Sequence, residues 1–278
     1  MKKHLRYSII VSVATLGVAV MFSLREPAHA QGNSGKGFEA PIVFQGAGPN
    51  TSSIQGLVDQ FRLAIGGNNN GTTAGPLNSG RREIGWDGGG SVTTVTPTPL
   101  STFLNRGTVF LTPGTDFVQA PPSGLATTFG NSSYATIFQP FSAQRLFSPV
   151  GSNITEVQFF IPCTIPCNSP VPAVTAGFGA VFADVDQPDG SGPGNKRGNR
   201  GASTLIQYYG ADGKVLYSSF VPASPGDASL TFFAVLFRDA RIASIRILTG
   251  DAAPGPDDDD LDIVVMDDFI YAEPRGRN

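Results

Sequence analysis

Hydrophobic spacing changes once along this chain, and the change divides it. In residues 53–65 the apolar side chains Ile54, Leu57, Val58, Phe61 and Ile65 recur every three or four positions, one stripe on one side of a helix. Ser52 with Gln55 three residues on is a capping-box pattern, and Gly66-Gly67 supplies a stop. A short strand is predicted before this helix at 40–45, and an Asn- and Gly-rich loop after it at 66–80. Beyond the loop the pattern becomes that of strands separated by turn residues: 82–86, 107–111, 156–162, 177–184, 203–209, 215–221, 230–237, 242–248 and 263–271. The clearest hairpin joins 203–209 to 215–221 through Ala211-Asp212-Gly213, where Asp-Gly suits a tight turn.

Several strands are apolar at every position, Phe232-Phe233-Ala234-Val235-Leu236-Phe237 among them. That suits the inner strands of two stacked sheets, one face on the core and the other covered by loops or the helix. Many strands with almost no helix between them argue against a parallel α/β sheet. The expectation is an all-β chain, an antiparallel β-sandwich of jelly-roll type with one short N-terminal helix.

Residues 1–30 have the pattern of a secretory signal. Lys2, Lys3 and Arg6 precede an apolar run, and Ala28-His29-Ala30 gives a small-x-small cleavage site. A membrane anchor is the competing reading, but the run from Ile9 to Leu24 is shorter than the roughly 20 residues a span needs and is diluted by Ser12, Thr15 and Gly17. A lead-in at 31–37, one domain at 38–274 and a tail at 275–278 complete the expected organisation.

With 34 Gly, 22 Pro and only 15% charged residues in 278, the chain is too apolar for wholesale disorder and too interrupted for a helical bundle. Cleavage would remove Lys2, Lys3, Arg6, Arg25 and Glu26 and take the net charge from −3 to −6, which disfavours nucleic acid or an anionic membrane as a partner. It would also remove His4 and His29, both of the chain's histidines. A His-dependent nucleophile, a His general base and a His-ligated metal are then excluded from the mature chain. There is no G-x-S-x-G, and Gly177-Phe178-Gly179 has Phe182 where a dinucleotide loop needs its third glycine. Cys163 and Cys167, the only cysteines, are expected to form a disulfide in an exported protein.

Further strings stand out: Gly80-Arg81-Arg82-Glu83-Ile84-Gly85-Trp86-Asp87-Gly88, Phe138-Gln139-Pro140-Phe141-Ser142, Arg145-Leu146-Phe147-Ser148-Pro149, 177–186, and Val265-Met266-Asp267-Asp268-Phe269-Ile270-Tyr271. Together they resemble a group of uncharacterised exported bacterial proteins, some similar to β-sandwich proteins with a PEP-CTERM sorting tail. The resemblance covers most of the mature chain. It implies a lectin-like, jelly-roll-like sandwich and brings no catalytic residues. No sorting helix or basic tail follows Tyr271.

Candidate chemistry lies with the acids and aromatic residues. Asp184 and Asp186, two apart at the end of a strand, would share a face about 7 Å apart, with Asp189 close behind. That spacing suits a hard cation such as calcium, the one cofactor the sequence suggests; a solvated strand end is the alternative, and Pro188 argues against an EF-hand. Asp267 and Asp268 interrupt an apolar strand and on a regular strand would point to opposite faces. A buried one would need calcium, an arginine such as Arg82 or backbone hydrogen bonds. The run Asp257 to Asp260 is a solvated loop or a loose calcium site. Residues 187–201 carry a small basic patch of Lys196, Arg197 and Arg200. Trp86 is either core or a stacking platform for a sugar ring, with Asp87 and Glu83 as acceptors. Tyr134, Tyr208, Tyr209 and Tyr217 are further candidates for that role. Glycosidase chemistry would have to draw on Glu39, Glu83, Glu156 or Glu273. Along an extended strand Glu83 and Asp87 stand about 13 Å apart, beyond the separations of about 5.5 and 9.5 Å that such chemistry uses.

The functional expectation is a non-catalytic module, secreted, periplasmic or at the cell surface. It would bind an extracellular polysaccharide, a surface glycan or matrix, with calcium in a structural role, no nucleic-acid partner and no membrane span after cleavage. A structural cell-surface or biofilm component and a carboxylate-based polysaccharide hydrolase or lyase are the alternatives.

Overall fold

Asn50 starts the long helix: its side-chain oxygen accepts the Ser53 amide N–H at 3.2 Å, the work assigned above to Ser52. Gln55 reaches forward to Asp59 (2.9 Å) and does not reach back to the cap. The computed structural model describes residues 40–186, 204–224, 226–257 and 261–277, all within one compact unit, Phe38–Asn278. The expected signal and lead-in, Glu39, Asp189, Lys196, Arg197, Arg200 and Asp258 to Asp260 lie outside the described residues.

In chain order the first elements are β1 (Ile42–Gly48), α1 (Thr51–Ala64), β2 (Arg81–Ile84), β3 (Thr94–Pro97), β4 (Thr108–Leu111), β5 (Asp116–Ala120), α2 (Pro122–Phe129), α3 (Tyr134–Ile137), β6 (Leu146–Val150) and β7 (Ile154–Phe159). They are followed by β8 (Ala173–Val174), β9 (Gly177–Ala183), β10 (Leu205–Tyr209), β11 (Val215–Phe220), β12 (Leu230–Leu236), β13 (Ser244–Leu248), β14 (Val265–Ala272) and β15 (Arg275–Gly276). The protein is mostly β with antiparallel sheets and 16% helix. Eight strands form one sheet in the order β1-β12-β9-β14-β6-β5-β3, with β2 also pairing on β14; five form a second in the order β11-β10-β13-β7-β4. The β10–β11 hairpin forms as expected, with Gly213 at φ +75°.

Two cores follow from this layout. Phe110, Val157, Tyr208 and Ile245 from the smaller sheet meet Phe178, Phe233, Phe269 and Tyr271 from the larger one. On its other side the larger sheet is covered by α1, α2 and α3 through Phe61, Leu125, Phe129 and Tyr134. Phe61 packs against Phe44 and Phe232, ring centroids 5.3 and 5.7 Å apart. A sheet buried on both faces must be apolar throughout, which is why β9, β12 and β14 lack alternation. Gly179 permits the closest approach there, since a Cβ would fall 2.4 Å from Ala234 Cβ of β12.

Where one helix was expected, the described residues hold three α-helices. α2 contains Gly124 and two threonines, weak helix formers, but Pro122 in its first turn and Gly130 at φ +72° after it frame a short amphipathic turn against β5. Cys163 and Cys167 are disulfide-bonded. Among the described residues no helix is long and apolar enough to cross a membrane.

Candidate functional site

Three predicted ligand contacts are corrected at once by burial. Trp86 is 2% exposed, stacked on Phe147 with ring centroids 3.8 Å apart and met edge-on by Phe103, Phe110 and Phe269, so neither ring face is open to a sugar. Its backbone is left-handed (φ +60°), which ends β2 at Ile84 and breaks the extended path assumed between Glu83 and Asp87. Tyr134 is fully buried, its hydroxyl donating to the Gly255 carbonyl at 3.1 Å. Tyr208 is fully buried and donates to the Phe178 carbonyl at 3.3 Å; burial pushes its phenol well above the usual range. Tyr217 is partly buried against the same core.

The paired acids of β14 are also rearranged. The strand slips register against β9 between Asp267 and Phe269, so Val181 faces Asp267, Ala180 faces Phe269, and Asp268 is the extra residue of a bulge. Before the bulge Met266 faces the sandwich core; after it Phe269 and Tyr271 do. Asp267 and Asp268 consequently share the helix-covered face and do not oppose one another. Asp267 accepts the amide N–H groups of Phe141 (2.7 Å) and Ser142 (3.1 Å), and the Asp268 amide at 2.7 Å. Asp268 receives Arg62 Nη2 at 3.3 Å from α1; Arg82 instead forms a buried two-pronged pair with Glu273, at 2.6 and 2.7 Å.

Ser142 Oγ stands at the centre of this group: Asp268 Oδ1 lies at 2.7 Å, Asp87 Oδ2 at 2.9 Å and Asp267 Oδ1 at 3.4 Å. Asp87 in turn accepts the amides of Gln144 and Arg145, both at 2.9 Å. Gly85 leaves room for this group: a Cβ there would lie 3.2 Å from Asp268 Oδ1 and 3.4 Å from both Asp87 Oδ2 and Ser142 Oγ, close enough that these groups would have to shift by a few tenths of an ångström. The three acids thus fasten the segment 141–145 onto β14 and the turn after β2. Burial, together with the adjacent Asp268 charge, pushes Asp267 well above the ordinary carboxylate range against the pull of its three amide donors. Burial also raises Asp268, opposed by Ser142 and Arg62. The oxygens crowd a hydroxyl and do not surround an open centre. Among the described residues no group of three or more His, Cys, Asp or Glu is arranged to hold a metal ion.

Asp184 departs from expectation as well. It has φ +69° and follows the last residue of β9, so the same-face argument for Asp184 and Asp186 does not apply. Asp186 accepts the Gly226 amide at 2.9 Å, and its own amide approaches Asp262 Oδ1 at 3.5 Å. Glu83 is held by Arg62 and Arg81, Glu273 by Arg82, and Glu156 faces Arg246 at 3.9 Å.

What stays open is the outer face of the five-stranded sheet. Ile206, Tyr208, Ile245, Ile247, Val157 and Phe159 point inward and are buried; their alternates are exposed or half-buried, and no described helix covers them. Register aligns these alternates in rows across the strands. One row is apolar: Phe220, Leu205, Leu248, Ile154. The next runs Ser218, Gln207, Arg246, Glu156, and the third Val215, Tyr209, Ser244, Gln158, Val109. Tyr209 donates its hydroxyl to Gln207 Oε1 at 3.0 Å, which fixes ring and amide side by side. Beside the middle of the third row lies an open groove of about 280 Å³, whose lining includes Gln158, Ser244, Phe160, Pro172, Gly210 and Arg277. Tyr209 is the one predicted aromatic contact placed on this face. Gln207, Ser244, Gln158 and Arg277 were not anticipated; alternation in the strand patterns was the available signal for the first three.

Comparison with family models, curated proteins and solved structures finds no match.

Proposed function

We propose that the protein is an exported, non-catalytic carbohydrate-binding module that uses the open face of its five-stranded sheet. The lectin-like, jelly-roll reading of the two sheets belongs to this proposal. The observation that carries it is the asymmetry of the sandwich: helices cover one outer face, while the other presents Tyr209, Gln207, Ser244, Gln158 and Arg246 in register. Hydroxyl, amide and guanidinium groups about 4.8 Å apart from strand to strand suit the repeated hydroxyls of a saccharide, and a tyrosine ring beside them suits its apolar face. The paired acids of β14 lend no support to the hydrolase alternative, because both are buried beneath the segment 141–145. The signal-like N-terminus supports export.

Affinity electrophoresis of the purified protein through gels cast with a panel of polysaccharides tests the proposal. At least one polymer is expected to retard it, and Tyr209→Ala combined with Gln207→Ala is expected to weaken that retention at least about fivefold, or about 1 kcal/mol. Unhindered migration through every polymer, or retention indifferent to the double substitution, refutes it.

A further inference from the structure

The groove beside the third row has a charge character of its own. Among the described residues lining it Arg277 is the only charged one, and no ion pair joins it to another described residue. Gln158 and Ser244 are cross-strand partners and present an amide and a hydroxyl there. Phe160, Pro172 and Ala243 add apolar surface, and the glycines Gly210 and Gly213 of the β10–β11 turn leave its rim low. Of the acids around it, Asp212 in the rim turn is paired with Lys214 at 2.9 Å, and Glu156, one row away, faces Arg246 at 3.9 Å. The groove therefore combines an unspent guanidinium, two neutral hydrogen-bonding groups and an apolar wall.

We infer that this groove selects a carboxylate-bearing saccharide, a uronate unit of a polysaccharide laid across the sheet, with Arg277 receiving the carboxylate and Gln158 and Ser244 the ring hydroxyls. The inference rests on the carbohydrate reading and narrows it. A planar guanidinium matches a carboxylate fork for fork, which favours a carboxylate over a neutral hydroxyl at that end. The volume, about 280 Å³, is just below the range of roughly 300–1,000 Å³ usual for small-molecule pockets. It accommodates one sugar ring while the rest of the chain lies on the open rows. One guanidinium beside two neutral hydrogen-bonding groups suits one carboxylate on a ring that is otherwise hydroxylated.

The experiment measures binding of the full protein to several uronate polymers, each paired with the same polymer after its carboxyl groups have been reduced to alcohols, together with one sulfated polymer. A uronate polymer is expected to bind more tightly than its reduced counterpart, and salt to narrow the difference. Arg277→Gln, an exposed change with no packing to lose, is expected to weaken the uronate form about three- to fivefold and leave the reduced form unchanged. An unfolding curve that superimposes on the wild type confirms that the variant folds. Equal affinity for the two forms of every pair, or a uronate affinity unmoved by Arg277→Gln, overturns the charge selection while the sheet-face reading stands. Stronger binding of the sulfated polymer overturns the assignment to a carboxylate. Failure of every polymer, charged and reduced, removes the sheet-face reading itself.

Discussion

Ser142 has one hydroxyl proton and three carboxylate oxygens around it, so it cannot donate to all of them. Asp267 and Asp268 are both shifted upward, chiefly by burial. The unfolded chain has no such shift, so above the ordinary carboxylate range it releases protons that the folded protein retains. The pair's contribution to stability is therefore complete at acid pH and is lost as pH rises through the folded values. Asp268→Asn isolates the effect: the amide nitrogen can face Ser142 Oγ and the amide oxygen can face Arg62, which keeps Glu83 and Asp59 as partners. The variant is expected to melt above the wild type at pH 7.5, with the gap closing toward pH 4, as followed by thermal unfolding across that range. A constant gap, or a lower melting point at neutral pH, contradicts the assignment.

Among the elements, β14 does the most to hold the structure together. It pairs with β9 on one side and with both β6 and β2 on the other, and just beyond it Glu273 takes the Arg82 guanidinium in a pair that is 0% and 1% exposed. Arg82 also donates to the carbonyls of Gly71 (2.9 Å) and Thr73 (2.7 Å), while Glu273 accepts the Leu77 amide at 3.0 Å, so one ion pair anchors the loop between α1 and β2. Arg82→Met would leave that carboxylate buried without its cation, at a cost of about 3–5 kcal/mol in urea unfolding; adding Glu273→Leu should recover part of the loss. A double variant less stable than the single would count against the pair as the cause. Helical periodicity made α1 legible in the sequence, continuous apolar runs made β9 and β12 so, and turn chemistry the β10–β11 hairpin. Strands β3, β5 and β6 were not: β3 spans four residues and ends in Pro97, and β6 contains Pro149. That proline is tolerated because β6 meets β14 only at Met266–Phe147, leaving no partner there for the missing N–H. The β14 bulge was equally hidden: Asp267-Asp268 marks a break in the apolar run, but which face each acid takes is set by the register with β9, a strand distant in sequence. At the candidate face, alternation implied that Tyr208 and Tyr209 point opposite ways; which one faces out depended on pairing partners distant in sequence.

At the largest scale the described residues form a stack of three layers, helices, eight-stranded sheet and five-stranded sheet, with the middle layer covered on both sides and the last on one. Every residue of β9 and β14 is buried, whereas β11 has no fully buried position and forms an edge. Local opening should follow this gradient, because amides whose strands bury few apolar contacts exchange without global unfolding. Hydrogen exchange read by mass spectrometry is expected to be slowest in β9, β12 and β14, intermediate in β13 and β7, and faster by orders of magnitude in β11. Equal protection in β11 and β9 would mean that the outer sheet is covered on its open side as well, and would remove the physical basis for placing a ligand there. The same gradient bears on function: a surface that carries little of the folding energy can accept substitutions at Tyr209, Gln158 or Arg277 without loss of the fold. Asp267, Arg82 and Trp86 have no such freedom, because each is buried where several segments meet.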